Sequence, residues 1–250
     1  MPLSQRHQQI ISLLKENKIA YVKDLAEYFN ITEASIRSDL NELENAGFIR
    51  RFHGGAKILE SEVFSSRLSK NKALKKQIAL RALNFVESGQ TIFLDSGTTV
   101  LTLARELAIY DNLTVVTNSF PVANLIASDK SNRVIFIGGI YNYQEQCCEG
   151  SITEESLNSI YTAVSFIGAD AINIDNGLLS SNLDRIGYMR RVLELSKLNI
   201  LLVDSSKFGK VGAVKIVDID AIDIIITDSK IPKEYVDRLN SSNIRVEIVD

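Results

Sequence analysis

The chain has 250 residues, 45% of them hydrophobic, and a formal net charge of -3, so it can bury a sizeable core in one large or two unequal domains. No apolar run approaches the ~20 residues of a membrane helix, and residues 1–15 lack the pattern of a signal peptide, so a cytoplasmic protein with no membrane partner is expected. Two adjacent cysteines and two histidines are too few for a disulfide framework, a four-ligand zinc site or a histidine-based metal centre, and no metal or cofactor is expected.

Apolar residues at helical spacing predict a first helix over about Ser4–Glu16 and a second, short helix over about Val22–Phe29. Thr32 is a good N-cap for a third helix with a regular apolar side, and Ala46-Gly47 is a good end for it, because glycine readily takes the left-handed conformation. The apolar side of the third helix consists of Ile36, Leu40 and Leu43. Two short helices joined by a tight turn, over about residues 20–40, predict a helix-turn-helix.

The polar side of the third helix carries residue types that read DNA, since arginine binds guanine edges, asparagine binds adenine, and hydroxyls bind phosphates. Two apolar-basic segments on either side of Gly54-Gly55 then predict a β-hairpin, whose basic side chains suit the DNA backbone as a wing. The candidate DNA-binding residues are Thr32, Ser35, Arg37, Ser38, Asn41, Arg50, Arg51, His53, Gly54, Gly55 and Lys57.

The charge of this region is nearly balanced: residues 1–57 hold eight Lys and Arg against seven Asp and Glu, a net charge of +1. A solvated three-helix unit without a ligand is therefore the alternative to DNA binding. The wing is purely basic, which favours DNA. Because one copy with so little net charge binds DNA weakly, a homodimer or homotetramer that reads two half-sites is expected.

Residues 60–76 are polar and basic without glycine or proline, and are interpreted as a linker after a DNA-binding domain at residues 1–59. Ser65–Ser69 is expected to be an exposed connection, followed by a helix from about Asn71 through Val86. The basic side chains suit DNA phosphates, but a solvated face is the preferred interpretation.

Residues 77–250 alternate apolar strands with helical patterns, which predicts an α/β domain with a parallel sheet and helices on both faces. The predicted strands are Ile92–Leu94, Leu113–Thr117, Val134–Ile137, Val164–Ile167, Ile200–Val203, Ile222–Thr227 and Arg245–Val249.

Small polar residues follow most of these strands, at the sheet edge where ligands of parallel sheets bind. The turn Asp95–Thr99 aims backbone N–H groups and a helix dipole at a spot that suits a phosphate. Lys207 can add a positive charge, and carboxylates or Asn118 can bind sugar hydroxyls. For any single loop, ordinary helix capping without a ligand is the alternative. The candidate effector-binding residues at this edge are Asp95, Ser96, Gly97, Thr98, Thr99, Asn118, Ser119, Gly138, Gly139, Asp170 and Lys207.

The run Ser35–Leu43, followed by Arg50–Ala56, resembles the winged helix-turn-helix of the DeoR family of bacterial transcriptional regulators. That family has two consecutive arginines where this chain has Arg37-Ser38, a difference that concerns the operator sequence. Further motifs are similar in order and spacing to the DeoR-type sensor domain. These motifs are Asp95–Thr99, Thr117–Ser119, Gly138-Gly139, Gly150, Phe166–Asp170 and Asp204–Gly209.

The resemblance implies a sensor domain related in fold to ribose-5-phosphate isomerase that binds a phosphorylated sugar. It also implies a repressor of carbohydrate genes whose binding to double-stranded operator DNA this effector modulates. In the family, an acidic residue and a lysine precede the fifth strand, and spacing back from Asp204 places them at Gly187 and Met189. Their loss predicts a different effector or a weaker site, for which the nearby Arg185 and Arg190 are candidates to compensate.

A second hypothesis is a sugar-phosphate isomerase with an attached DNA-binding domain. In it Asp95, Asp170 or Asp204 is the base and Lys207 is the electrostatic stabiliser. The charges missing at Gly187 and Met189 argue against an enzyme, and no catalytic residue is assigned. The Cys147-Cys148 pair is interpreted as packing or loop residues, because a reactive thiol needs basic neighbours and this pair is flanked by glutamates.

Overall fold

The computed structural model describes residues 4–45, 48–58, 64–128 and 131–250. The chain divides into two compact units, one of residues 1–61 with 211–213 and one of residues 62–210 with 214–250. We call them the DNA-reading unit and the sensor unit, after the roles expected from the sequence. Within the described ranges, no helix is long and apolar enough to cross a membrane.

The DNA-reading unit consists of three helices and a three-stranded antiparallel sheet in the order β1-β3-β2. Its helices are α1 (Gln5–Asn17), α2 (Val22–Phe29) and α3 (Glu33–Asn45), and its strands are β1 (Ile19–Tyr21), β2 (Ile49–Phe52) and β3 (Gly55–Ile58). The predicted helix-turn-helix and hairpin are therefore confirmed, while the predicted helix end at Ala46-Gly47 lies outside the described residues.

Local chemistry explains where these helices begin and end. The Ser4 side chain caps α1 by accepting a hydrogen bond from the His7 backbone N–H at 3.1 Å, and Thr32 Oγ1 accepts one from the Ser35 N–H at 3.2 Å before α3. Asn30 ends α2 in the left-handed conformation, with φ +52°, which asparagine tolerates better than most residues. The apolar sides of the helices then meet in one core.

The sensor unit is built on a seven-stranded parallel sheet in the order β15-β14-β12-β9-β4-β5-β6. These strands are β4 (Thr91–Leu94), β5 (Thr114–Thr117), β6 (Arg133–Phe136), β9 (Val164–Ile167), β12 (Asn199–Leu202), β14 (Ile224–Asp228) and β15 (Arg245–Val249). The seven strands predicted from the sequence are these seven, which confirms the parallel sheet.

Short antiparallel strands that the sequence did not predict complete the sensor unit. A hairpin consists of β7 (Ile140–Asn142) and β8 (Cys147–Glu149), and a small sheet is formed by β10 (Ala171–Asn173), β11 (Gly177–Ser180) and β13 (Val214–Val217). The helices are α4 (Phe64–Ser69), α5 (Lys72–Ala82), α6 (Thr98–Glu106), α7 (Phe120–Ala127), α8 (Ser151–Ser156), α9 (Arg185–Leu195) and α10 (Lys233–Ser241). Turns of 3-10 helix lie at Leu83–Phe85, Leu107–Ile109, Ser205–Lys207 and Ile219–Ala221.

Alternation along the central strands produces two cores, one on each face of the sheet. In β4, Ile92 and Leu94 pack into a cluster with helices α5 to α7, whereas Phe93 packs into the opposite cluster with α9 and α10. Helices on both faces are therefore confirmed.

The sequence predicted an exposed connection at Ser65–Ser69, and this prediction is wrong. Residues 64–69 form α4, and Phe64, 3% exposed, packs into the core beside α5 and α6. Lys70, Lys72 and Lys76 are exposed, as expected for a solvated face, whereas Arg67 and Lys75 are largely buried, against that interpretation. The buried Phe64 anchors α4 to the core.

Two glycines with the same backbone conformation allow a matched test of packing in the small sheet. A Cβ on Gly177, at φ +82°, would lie 2.0 Å from the Val217 carbonyl oxygen, whereas a Cβ on Gly89, at φ +84°, would meet no atom within 4 Å. We expect Gly89→Ala to lower the free energy of unfolding by about 1 kcal/mol, the cost of the backbone conformation alone. Gly177→Ala should cost at least about 2 kcal/mol more, because β11 must move away from β13. Urea denaturation of both variants measures this difference, and equal losses would contradict the close approach.

Candidate functional site

The exposed side of α3 presents most of the predicted base-reading side chains. Arg37, Ser38 and Asn41 are exposed, Thr32 is exposed just before the helix, and Ser35 is half-buried. Arg37 forms an ion pair with Glu33 one turn earlier, at 2.5 Å. Both side chains are exposed, so this pair contributes little to stability, and Arg37 can leave it to contact another partner.

The opposite side of α3 is fixed to α1 by a buried carboxylate. Asp39 accepts two hydrogen bonds from Arg6, at 2.7 and 2.8 Å, and its other neighbour is the His7 ring at 3.2 Å. Burial alone would raise the pKa of Asp39, but the Arg6 guanidinium outweighs it and lowers that pKa below its ordinary value. The bidentate contact sets the orientation of α3.

The wing is joined to α3 through Arg51. The Arg51 guanidinium donates to the Asn41 side-chain oxygen at 2.9 Å, and the Arg51 backbone N–H donates to Glu44 at 2.7 Å. Four further candidates on or beside the hairpin are exposed, namely Arg50, His53, Gly54 and Lys57. The exposed side of α3 and the basic hairpin are therefore held together.

Gly55 is placed differently from the other candidates, because it is buried. A Cβ at this position would lie 2.6 Å from the Ala20 carbonyl oxygen. Gly55 therefore lets β3 approach β1 and does not offer a contact surface of its own.

In the sensor unit, a cavity of about 300 Å³ lies at the carboxyl ends of the parallel strands. Six of its lining side chains are cationic and three are carboxylates, so its lining favours an anion. The cations are Arg67, Lys70, Lys75, Arg185, Lys207 and Lys210, and the carboxylates are Glu145, Asp170 and Asp204. The other lining residues are Asn71, Ser96, Gly97, Thr98, Thr99, Gly168, Ala169, Leu202, Val203 and Ser206.

The N-terminus of α6 forms one wall of this cavity. Gly97 is its N-cap and has no side chain to accept a hydrogen bond, so within the described residues no capping side chain satisfies the first N–H groups of the helix. Ser96, Thr98 and Thr99 flank these groups in the cavity wall. A helix N-terminus with free N–H groups favours an anion.

A network of ion pairs, in which positive and negative side chains alternate, extends from the end of β4 to α4. Arg185 donates to Asp95 at 2.5 Å and to the Gly168 carbonyl oxygen at 2.9 Å. Asp170 lies 3.7 Å from Arg185 and 3.7 Å from Arg67, and Arg67 also pairs with Glu145. Burial opposes the charge of Arg185, but Asp95 and Asp170 outweigh it and raise its pKa well above the ordinary value.

Each of these two arginines has one nitrogen without a hydrogen-bond partner. The Nε atoms of Arg67 and Arg185 are buried, and neither has a hydrogen-bond partner within the described residues. A buried donor without an acceptor costs free energy.

Lys207 and Asp204 lie on the opposite side of the network, after β12. Asp204 accepts a hydrogen bond from the Ser206 N–H at 3.0 Å, which begins the 3-10 turn that carries Lys207. Burial lowers the pKa of Lys207 despite the attraction of Asp170. Lys207 forms no ion pair in the part of the chain that the structure describes, so its charge is directed at the cavity without a fixed partner.

The structure brings seven of the predicted effector-binding residues together around the cavity: Ser96, Gly97, Thr98, Thr99, Asp170, Arg185 and Lys207. Five others do not line it. Asp95 is fully buried behind Arg185, and the Asn118 amide instead donates to the Cys148 carbonyl oxygen at 2.8 Å.

The remaining three of these five serve neighbouring elements. Ser119 is buried and caps α7. Gly138 accepts a hydrogen bond from the Thr153 hydroxyl at 2.9 Å, and a Cβ on Gly139 would lie 2.0 Å from that hydroxyl oxygen. The glycine pair therefore lets α8 approach the end of β6.

The expected role of Gly187 and Met189 is also corrected by their positions. Met189 is fully buried in the core, and a Cβ on Gly187 would lie 1.9 Å from Glu154 Oε2, away from the cavity lining. Arg185 is the α9 residue that faces the cavity. Helix α9 therefore contributes its positive charge to the site through Arg185.

The cysteine pair is buried, with Cys147 1% and Cys148 6% exposed. Burial raises the pKa of Cys147 to about 12, so this thiol is not ionised near neutral pH. This agrees with the interpretation of both residues as packing residues.

Sequence reasoning missed twelve of the nineteen lining residues, among them Arg67, Lys70, Asn71, Lys75 and Glu145. The first four belong to the segment interpreted as a linker with a solvated basic face. The available signal was the basic run itself, together with Phe64, an apolar residue large enough to anchor the segment.

Two family models match the chain. The DeoR-like helix-turn-helix domain matches residues 6–62, and the DeoR C terminal sensor domain matches residues 70–229. The HTH-type transcriptional regulator GolR of Listeria innocua is 30% identical over 250 residues, which cover 98% of each chain. The glycerol-3-phosphate regulon repressor of Escherichia coli (strain K12) is 31% identical over 251 residues, covering 99% of this chain and 100% of that protein. Ribose 5-phosphate isomerase A from Methanocaldococcus jannaschii gives a TM-score of 0.41 at 20% identity, covering 56% of this chain and 55% of that one.

The Asp95–Arg185 pair should behave as a unit in stability measurements. Asp95→Asn leaves a buried arginine without its main counter-charge, and we expect a loss of about 3–5 kcal/mol in the free energy of unfolding. Adding Arg185→Met removes the stranded charge and should restore part of that loss. A urea-denaturation double-mutant cycle measures the coupling, and strictly additive losses would show that the pair does not act as a unit.

Proposed function

The chain belongs to the DeoR family of transcriptional regulators, and on this basis we propose that α3 with the wing binds operator DNA while the sensor cavity binds a phosphorylated sugar. The protein is a DNA-binding transcription regulator and not an enzyme. Binding of the effector in the cavity modulates operator binding and so relieves repression of genes for carbohydrate uptake or metabolism.

The observation that carries the proposal is the cavity with six cationic side chains beside the uncapped N-terminus of α6. A phosphate is the ligand group that fits both features, because it accepts several hydrogen bonds and carries up to two negative charges. Lys207 and the guanidinium groups of Arg67 and Arg185 supply positive charge in its lining. The carboxylates of Asp170 and Asp204 are suited to hydroxyl groups on the rest of the ligand.

The effector class is further supported by a relative. The glycerol-3-phosphate regulon repressor of Escherichia coli carries a phosphorylated polyol in its name and covers the whole of this chain at 31% identity. We extend the class of phosphorylated polyhydroxy compounds to this chain. Which member of the class is bound depends on the side chains that line this cavity, Arg185 among them.

The three carboxylates that the isomerase hypothesis needs as a base are poorly suited to that role here. Asp95 is fully buried and paired with Arg185, so it cannot contact a ligand in the cavity. Although burial would raise the pKa of Asp170 and Asp204, the neighbouring cations and hydrogen bonds outweigh it and lower both values. A carboxylate with a lowered pKa is a weak general base.

We place the link between effector and DNA in α4. Arg67 lies in this helix, which follows β3 of the DNA-reading unit after residues 59–63. An anion in the cavity competes with Glu145 and Asp170 for the Arg67 guanidinium. A ligand that binds one position of Arg67 more tightly shifts the population towards the state with that position.

The DNA-reading unit carries little net charge, so we propose that a homodimer or homotetramer binds two operator half-sites. Within each unit, Arg37, Ser38 and Asn41 read bases, and Thr32, Ser35, Arg50, Arg51, His53, Gly54 and Lys57 contact the backbone.

Arg37 and Lys57 should differ in how they affect DNA binding. Arg37→Ala should weaken operator binding by about 1–3 kcal/mol and leave binding to scrambled DNA nearly unchanged, because Arg37 reads a base. Lys57→Ala should weaken binding to both DNAs equally and lower the salt dependence, because Lys57 contacts phosphate. Fluorescence anisotropy at two salt concentrations measures both effects. An Arg37→Ala variant with unchanged operator affinity would show that Arg37 reads no base.

Lys207 should act on the effector response alone. We expect Lys207→Ala to keep the operator affinity of the ligand-free protein and to raise the effector concentration needed for release by about tenfold or more. The measurement is operator release by glycerol 3-phosphate, ribose 5-phosphate and fructose 6-phosphate, with the unphosphorylated compounds alongside. Lys215→Ala is the control, because Lys215 is half-exposed, pairs with Asp218 and does not line the cavity. An equal shift in both variants would argue against a phosphate site at Lys207.

A further inference from the structure

Four exposed aromatic side chains form a patch on the sensor unit, which we call the aromatic patch. Their exposed fractions are 55% for Phe120, 42% for Phe136, 36% for Tyr141 and 84% for Tyr143. Their exposed area is roughly 400 Å² in total. That is about half of the ~800 Å² that each partner contributes to a stable interface of standard size.

The patch is continuous and already ordered. Phe120 packs edge to face against Phe136 and Tyr141, with ring centroids 6.4 and 6.3 Å apart, and Tyr141 packs against Tyr143 at 4.9 Å. The Phe120 N–H also donates to the Gln146 carbonyl oxygen at 3.0 Å, which ties α7 to the β7–β8 hairpin. Because the rings are held in place by one another, binding at the patch orders few additional side chains.

The patch adjoins an open edge of the parallel sheet. Strand β6 pairs only with β5, and no strand of the described residues covers its outer side. The opposite edge, β15, carries Glu247 with Arg81 and Arg245 around it, and such charges discourage further pairing. Within β6 itself, Arg133–Phe136, the only charged residue is Arg133, at the end of the strand away from the patch.

We propose that the aromatic patch is the surface on which a second copy of this chain docks, with the same patch of both copies meeting across a twofold axis. A twofold contact brings each side chain close to its own counterpart, so a charged patch would repel itself and an uncharged one does not. All four side chains are uncharged, as are the neighbouring Asn142 and Gln144. DNA is a poor occupant, because binding it requires cations that the patch lacks.

The patch and the effector cavity share the β7–β8 hairpin. Tyr141 lies in β7, Tyr143 follows it, and Glu145 in the same turn pairs with Arg67 at the cavity. The Gln144 carbonyl oxygen accepts a hydrogen bond from the Phe64 N–H, at the start of α4, at 3.2 Å. This inference rests on the proposed function in one respect, namely that two copies of the chain are needed at an operator. Its test therefore uses neither DNA nor effector.

The test measures the assembly of the full chain by analytical ultracentrifugation, from nanomolar to tens of micromolar concentrations. We expect a dimer for the unaltered protein and a dimer Kd at least about 100-fold weaker for Tyr143→Asp, because each substitution removes two contacts and places two like charges together. Phe120→Asp should have the same effect. Tyr161→Asp is the matched control, because Tyr161 is 73% exposed and lies outside the patch. It precedes the amino end of β9, a strand in the middle of the sheet.

Circular dichroism and thermal melting establish that all variants remain folded before their assembly is compared. Three results would overturn the proposal: an unaltered chain that stays monomeric throughout, Tyr143→Asp and Phe120→Asp variants that dimerise as tightly as the unaltered chain, or a Tyr161→Asp variant that dissociates equally. The first would leave the patch to a different protein partner, and the second would place the contact between copies elsewhere. In the separate titrations with operator DNA and sugar phosphates, a lack of binding by a protein that still dimerises would count against the proposed function alone.

Discussion

The buried ion pair between Asp95 and Arg185 is the contact on which the sensor site depends. Asp95 directly follows the central strand β4, and its side chain is fully buried. Arg185 is the first residue of α9. The pair also engages the Gly168 N–H and carbonyl groups at the end of β9, so three neighbouring elements are joined at one point. Two charges buried together are costly to separate, and this fixes the floor of the cavity.

The same network reaches two elements that have no place in the central sheet. Through Asp170 it reaches Arg67 in α4, and through Arg67 it reaches Glu145 in the β7–β8 hairpin. The cavity is therefore enclosed by a helix that follows the DNA-reading unit in the chain and by a hairpin that carries the aromatic patch. An anion that changes the charge balance of this network acts on both elements at once, which is the arrangement a ligand-responsive regulator needs.

The DNA-reading unit relies on the same kind of contact at a smaller scale. Asp39 on the buried side of α3 holds the helix against α1, and Arg51 joins the wing to Asn41 on the exposed side. These contacts leave Arg37, Ser38 and the wing cations facing solvent. The net charge of the unit is small, but its cations are concentrated where a major groove and its flanking phosphates would lie.

The sequence by itself determined the local elements and the family. Helical spacing in residues 4–45, the alternation of strands and helices after Thr91 and the motifs at the strand ends are local patterns, and each follows from a few neighbouring residues. The tertiary structure alone decided which polar residues meet. Asn118, Gly138 and Gly139 read like ligand-binding residues but serve packing, whereas Arg67 and Lys75 read like a solvated linker but line the cavity. The reason is physical: a side chain's role depends on whether distant elements bury it, and Phe64, Glu145 and Arg185 come together only when the sheet has formed.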